Sequence, residues 1–367
     1  MKSVLGYETV DFDREHHALV IVDQTKLPGE LAFLSLRSPQ EIWDAIYHLK
    51  VRGAPAIGVA AAFGLAAIGW QIAADSPADF MMQLSRHREY LCSARPTAVN
   101  LGWALNRVYG ACENLLSRKL DQAEGMPEME KVQRLREGLL QEAKRMKEED
   151  IDICKRIGEH GLDLLKPGDG ILTHCNAGQL ATCRYGTATA PIYLGQERGY
   201  GFHVYVDETR PLMQGARLTA YELQAAGVDA TLLCDNMAAS LMAQEKVQAV
   251  LVGCDRVAAN GDVANKIGTS MLAITAWHHQ IPFYVCAPLS TIDWNTATGK
   301  EIEIEERPPE EVTQMWYRQP MCPPGVKVYN PAFDVTSYLL IDGYITELGV
   351  FSTLEEIPGC YLQSDKR

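Results

Sequence analysis

Two textures of hydrophobic and polar spacing divide the chain. Up to about residue 130, apolar positions recur mostly at helical intervals. Pro39–Ile46 opens one helix: Ser38 stands where an N-cap belongs, Pro39 suits the first turn, and Ile42, Ile46 and Leu49 fall near one face. Residues 54–74, 79–92 and 97–119 predict three more. The stretch Gln122–Glu149 is highly charged and becomes an amphipathic helix running toward Leu165, which predicts a connector. From Gly168 onward, short β-branched runs alternate with helical patterns. Strands are predicted near Gly170–His174, His203–Asp207, Ala230–Cys234, Ala249–Cys254 and Pro282–Ala287. Helices are predicted at Tyr185–Leu194, Ala216–Ala226, Met237–Gln244 and Ile267–His279. Buried strands alternating with helices read as a doubly wound parallel sheet. The expected fold is therefore α/β. A mostly helical N-terminal domain (1–130) leads through a connecting helix (131–165) into a Rossmann-like domain (166–367).

Charge and composition then narrow the classes of function. The 367 residues carry 34 Lys and Arg against 47 Asp and Glu, a net charge of −13. This argues against bulk affinity for nucleic acid or anionic membranes, but not against a small anion held by a local cation cluster. Residues 53–74 carry no charge and would be long enough to span a bilayer. The stretch is rich in Ala and Gly and no second one follows, so it predicts a helix buried in protein. Ten cysteines occur without a CxxC pair or zinc-finger spacing, and the N-terminus has no leader pattern. Reduced thiols in the cytoplasm are expected. Neither GxGxxG between strand and helix, nor GxxxxGK[ST], HExxH nor an EF-hand loop is present. No nucleotide cofactor and no dedicated metal are therefore expected.

In doubly wound sheets ligands lie beyond the carboxyl ends of the strands. Those ends carry Thr173-His174-Cys175-Asn176-Ala177-Gly178, then Asp207 to Gly215, then Asp235-Asn236, then Asp255-Arg256 and on to Asn265-Lys266. Cys175 is a candidate nucleophile or proton carrier, or else an inert buried thiol. Asp255 ends an apolar run, where burial would raise its pKa, or it caps a turn. Arg52, Arg95 and Lys266 are each predicted at a helix start, where the dipole disfavours a cation and a bound phosphate would favour one.

Seven strings carry a family resemblance: Asp23 to Pro28, Arg52 to Gly58, Arg95 to Leu101, Thr173 to Gly178, Asp207 to Gly215, Asp235 to Ala238, and Asp255 to Gly268. Together they resemble the methylthioribose-1-phosphate isomerases, which belong with the α, β and δ regulatory subunits of translation initiation factor 2B. Cys254 and Ser270 depart from the pattern, which has Ala and an aromatic there. The resemblance implies an aldose–ketose isomerase of methionine salvage, converting 5-methylthioribose 1-phosphate to 5-methylthioribulose 1-phosphate. It implies Cys175 and Asp255 as the catalytic pair and Arg52, Gly53, Ala54, Arg95, Gln214, Asn265 and Lys266 as substrate-binding positions. Asn176, Asp207 and Asn236 are supporting candidates. It also implies a homodimer through the second domain. A non-enzymatic translation-factor subunit and a ribose 1,5-bisphosphate isomerase are the alternatives. Because the anomeric oxygen carries phosphate, simple ring opening is blocked. An acid must help break the ring C–O bond, after which hydrogen passes from C2 to C1 as a proton or as a hydride.

Overall fold

A computed structural model describes residues 3–359 apart from Thr97, Asp121 and Glu124. Thr97, the expected first residue of the fourth helix, and Cys360 lie outside the described residues. The chain forms two compact units. One comprises Gly6–Asp152 together with Gln179–Arg184; the other comprises the N-terminal residues through Leu5, Ile153–Gly178 and the chain from Tyr185 onward.

The N-terminal unit begins with strands that the hydrophobic spacing did not announce. β1 (Val10–Asp13), β2 (Ala18–Val22) and β3 (Phe33–Leu36) form an antiparallel sheet in that order. Asp13 Oδ1 accepts the N–H groups of Glu15 and His16, which shapes the β1–β2 turn. Four helices follow: α1 (Pro39–Tyr47), α2 (Ala54–Gly69), α3 (Pro77–Cys92) and α4 (Val99–Leu115). Ser38 and Glu41 close a reciprocal capping box on α1, and Ser76 caps α3. α2 is buried at every residue from Ala56 to Gly69, as its lack of charge requires. No helix among the described residues is long and apolar enough to cross a membrane.

The charged connector is one 35-residue helix, α5 (Glu128–Leu162). Its Val132, Leu135, Leu139, Ala143 and Met146 join the N-terminal core, and the boundary between units falls between Asp152 and Ile153, inside the helix. The N-terminal unit also takes in Gln179–Arg184, a segment far from it in sequence. Gln179 Nε2 donates to Tyr7 O, and the Thr9 hydroxyl donates to Gln179 O. Gln24 Nε2 donates to Leu180 O. The Cys183 N–H donates to Asp150, and Arg184 pairs with Glu8.

The C-terminal unit holds β4 (Gly170–Thr173), α6 (Ala190–Glu197), β5 (His203–Asp207), α7 (Ala220–Ala225), β6 (Asp229–Leu233), α8 (Ala238–Ala243), β7 (Ala249–Val252), β8 (Arg256–Ala258), β9 (Val263–Lys266) and α9 (Thr269–His278). It continues through β10 (Phe283–Cys286), β11 (Ile292–Asp293), α10 (Glu310–Thr313), β12 (Phe333–Thr336), β13 (Gly343–Thr346) and β14 (Gly349–Phe351). The main sheet runs β14-β13-β10-β7-β4-β5-β6 and is parallel except for β14. β4 and β7 are buried at every position, which explains their unbroken apolar runs. A second sheet, β11-β8-β9-β12, was not foreseen. The helix expected from Tyr185 starts at Ala190 instead, because Tyr185–Thr189 wraps around Ala177, whose carbonyl accepts the Thr187 N–H.

Candidate active site

The strand order reverses direction at β4. The chain leaves β4 for β5 and β6 on one flank, then crosses to β7 on the other. The crevice between β4 and β7 is thus the topological switch point, where such sheets bind ligands. Thr173 of β4 lies in register with Leu251 of β7. Cys175 follows the first strand by two residues and Asp255 follows the second by three. The two candidate catalytic residues therefore leave adjacent strand ends on either side of that crevice.

Cys175 is 9% exposed and has a left-handed backbone, φ 63°. That conformation costs a non-glycine residue about 1–2 kcal/mol, and hydrogen bonds hold it. The Cys175 N–H donates to Thr209 Oγ1 (2.8 Å), and its carbonyl accepts from the Thr219 hydroxyl (2.6 Å). Asn176 Nδ2 donates to Glu222 Oε1 at 2.8 Å, and the Tyr193 hydroxyl donates to Glu222 Oε2 at 2.8 Å; Glu222 is completely buried. Thr209 is itself left-handed, φ 65°, and buried. Its hydroxyl donates to Asp207 O, while its N–H and that of Arg210 donate to the two carboxylate oxygens of Asp235, at 2.7 and 2.8 Å. Gly215 lets the loop turn back: a Cβ there would lie 1.7 Å from Asp207 O. Gln214, just before it, is buried, and its Oε1 has no protein hydrogen-bond partner among the described residues.

The second sheet brings Asp255 to Asn265 and Lys266. The Asp255 N–H donates to Ala264 O at 3.0 Å, and Arg256 pairs with Ala264 across β8–β9. Lys266 was expected at a helix start. It is instead the last residue of β9, because α9 begins only after Gly268, whose φ is 103°. Lys266 is buried; its Nζ donates to Ala332 O at 3.0 Å and stands 4.7 Å from the centre of the Phe333 ring. Asn265 Nδ2 donates to the Thr269 hydroxyl. The N-terminus of α9 is held by Asp334, whose carboxylate accepts the N–H groups of Gly268 and Ser270; burial holds that carboxyl above the usual range.

His174 joins the two halves of this site. Its Nδ1 is 3.0 Å from Asp207 Oδ2 and its Nε2 is 2.9 Å from Ile267 O; both side chains are about 1% exposed. Burial alone would push the imidazole pKa down, but the Asp207 carboxylate and, further off, Asp235 outweigh it, so the net direction is up. His174, Asp207 and Asp235 offer ligand atoms within 4.8 Å of one another, but those groups are engaged in the hydrogen bonds just described. Cys254 is a poor nucleophile by comparison: burial, then the Asp255 charge, push its thiol well above the usual range.

Thus Cys175, Gln214, Asp255, Asn265 and Lys266 belong to one connected arrangement in the C-terminal unit. Arg52, Gly53, Ala54 and Arg95 belong to the N-terminal unit. There Gly53 is the N-cap of α2, with Arg52 before it and Ala54 the first helical residue. Its φ is 90°, and a Cβ would lie 2.5 Å from the Ala181 backbone, so only glycine fits. Arg95 lies in the connection from α3 to α4, half-buried. Sequence reasoning passed over Thr209, Thr219, Glu222 and Asp334 as individuals; the strand-end rule pointed to the loop containing Thr209, and no local signal marked the other three.

Residues 50–353 match the Initiation factor 2 subunit family. The chain is 59% identical to a methylthioribose-1-phosphate isomerase of Symbiobacterium thermophilum, over 94% of this chain and 92% of that one. It is 54% identical to a 5-deoxyribose 1-phosphate isomerase of Petrotoga mobilis, over 90% and 92%. The crystal structure of 5-methylthioribose 1-phosphate isomerase from Pyrococcus horikoshii OT3 superposes with a TM-score of 0.83 at 41% identity, covering 94% of this chain and 92% of that one. With this extent of match, and with the α/β architecture in agreement, the chain belongs to the Initiation factor 2 subunit family.

Proposed function

We propose that this protein is an aldose–ketose isomerase of a ribose 1-phosphate that lacks a phosphate at C5, converting 5-methylthioribose 1-phosphate to 5-methylthioribulose 1-phosphate in methionine salvage. The observation that carries the reading is the near-full-length identity to isomerases of that name, 57–59%. Relatives at 50–54% identity named 5-deoxyribose 1-phosphate isomerase favour a second substrate of the same shape, with a methyl group at C5. Neither names a translation-factor role or a bisphosphate substrate.

In the proposed reaction Asp255 gives a proton to the ring oxygen as the C1–O bond breaks, the electron pair leaving with oxygen. The hydrogen on C2 moves to C1, and the C2 hydroxyl proton returns to Asp255 as the ketone forms. No atom is gained or lost. Cys175 acts at C2 and C1. Gln214 Oε1, a buried acceptor, takes a sugar hydroxyl, and Asn265 fixes the sugar beside it. Lys266, Arg52 and Arg95 hold the phosphate, with the small Gly53 and Ala54 letting it approach the backbone. Running the reaction in deuterated water tests the routes: solvent deuterium at C1 contradicts direct hydride transfer, and its absence counts against a freely exchanging proton transfer.

The reading extends to a cytoplasmic homodimer. Free thiols at all nine described cysteines favour a reducing compartment. Met271, Ile274 and Trp277 are exposed along one side of α9, an apolar face suited to a second copy. Sedimentation showing a monomer at micromolar concentration would refute the dimer. The function is tested by incubating the purified chain with 5-methylthioribose 1-phosphate, 5-deoxyribose 1-phosphate and ribose 1,5-bisphosphate. Ketose should form from one or both of the first two. Turnover of the bisphosphate alone, or of none, rejects the reading.

A further inference from the structure

His174 sits beside the proposed catalytic cysteine in sequence, yet both of its ring nitrogens face acceptors. Nε2 faces the Ile267 carbonyl, which can only accept, so that nitrogen carries a proton. Nδ1 faces Asp207 Oδ2 at 3.0 Å with one proton in the bond between them; burial raises the Asp207 carboxyl and the imidazole opposes that rise, so the surrounding charges decide on which side the proton rests. Among the described residues, carboxylates act on the pair: Asp235 after β6 on His174 and on Asp207, Asp334 of β12 on His174, and Glu208 on Asp207. Negative charges gathered around one imidazole favour a cation at the centre. With the shared proton on Nδ1, neither nitrogen has a lone pair left for a substrate proton.

We propose that His174 is a cross-tie that stays doubly protonated through turnover at neutral pH: a positioning residue that fixes the Cys175 turn against the Ile267–Gly268 turn that follows Asn265 and Lys266, and that does not cycle as an acid or base. The geometry makes this consequential. His174 ends the β4 segment and precedes the strained residue 175. Its partner Asp207 ends β5, and the Asp207 carbonyl in turn receives the Thr209 hydroxyl that supports the Cys175 N–H. Ile267 follows Lys266 directly and precedes the Gly268 amide bound by Asp334. One ring therefore links three separately folded segments, each holding a different part of the proposed machinery. A Cβ on Gly268 would come 2.9 Å from His174 Cε1, so glycine at 268 is what lets the ring sit against this turn.

The catalytic half of this proposal rests on the isomerase reading; the protonation half does not. The first measurement is ring nitrogen NMR on the full chain labelled with ¹⁵N-histidine, with His174→Asn used to assign the signal. Both His174 nitrogens should report N–H at pH 8, a unit and a half above the ordinary imidazole midpoint. An unprotonated Nδ1 at that pH overturns the proposal whether or not the chain is an isomerase. The second is steady-state kinetics of Asp207→Asn, which keeps the side chain's size and removes its charge. kcat should fall at least tenfold with KM within threefold, and the alkaline fall in activity should move at least one pH unit lower. Circular dichroism on the same sample confirms that it is folded. An Asp207→Asn enzyme with wild-type kcat and an unmoved pH profile overturns the positioning role. If the wild-type chain turns over no pentose 1-phosphate, the isomerase reading fails and the NMR result alone decides the protonation state.

Discussion

Thr209→Val is the substitution that most directly tests how Cys175 is held. Valine matches threonine in shape and is equally strained at φ 65°, so the backbone penalty cancels between the two proteins. What is lost is the hydroxyl, which accepts the Cys175 N–H at 2.8 Å and donates to Asp207 O at 2.9 Å. Thr209 is completely buried, so water cannot replace it. Two hydrogen bonds contribute about 0.5–1.5 kcal/mol each, and leaving buried polar groups short of a partner costs about 1–3 kcal/mol. The sum is about 2–6 kcal/mol. For a unit of this size that corresponds to a fall in Tm of roughly 4–24 °C. Because the lost bonds support the left-handed turn, kcat should drop at least about tenfold, one decade for each 1.4 kcal/mol by which the competent turn is depopulated. Thr209→Ser keeps the hydroxyl and should retain most of both properties. The assays are thermal unfolding by circular dichroism and turnover of 5-methylthioribose 1-phosphate. A valine variant melting within 2 °C of wild type and turning over at more than half its rate would refute the reasoning.

Four other outcomes are expected. Gly53→Ala should destabilise the N-terminal unit by at least about 3 kcal/mol, since the new Cβ meets the Ala181 backbone and φ is 90°, seen as a lower denaturant midpoint. Cys175→Ser should lower kcat with little change in KM, whereas Arg95→Ala should mainly raise KM; steady-state kinetics of the pair checks both. The raised pKa of His174 makes its ion pair stabilising below the ordinary imidazole value near 6.5 and progressively less so as pH rises through the higher folded value. The stability gap between wild type and Asp207→Asn should therefore be widest in the acidic range and shrink toward alkaline pH, read from urea unfolding at a series of pH values. Lys266→Met should leave the fold intact, its stem packing on Phe333 as before, and lower kcat/KM at least about a hundredfold.

How much of this was legible in the sequence depends on where each interaction partner lies. β4, β5, β6, β7 and β10 were found to within a residue or two at most ends: β4 and β7 are apolar because they are buried throughout, whereas the edge strand β6 is exposed at four of five positions and was marked by its β-branched and aliphatic residues. Cys175 and Asp255 stood out as candidates because they lie just beyond the apolar runs of β4 and β7. β9 was invisible: Val263–Lys266 contains Asn and Lys, and its partner β12 lies about seventy residues further on. That is why Lys266 was expected on a helix. The N-terminal strands were masked by charge at Asp11 and Asp13 and by their short length. The supports of the Cys175 turn stayed hidden because each is a single hydroxyl or carboxylate acting across 34 to 46 positions, which leaves no periodicity to detect.

The six residues from Gln179 to Arg184 have a further consequence for how the protein is made. They belong to the N-terminal unit and hydrogen-bond to Tyr7, Glu8, Thr9, Gln24 and Asp150. During synthesis that unit cannot complete itself when its own contiguous segment, ending at Asp152, leaves the ribosome. It must wait for β4 and the Cys175 turn to be translated and for the chain to return as far as Arg184. A fragment ending within α5 therefore lacks part of its own interior, and the segment a few residues after Cys175 doubles as the last piece the N-terminal unit needs to close.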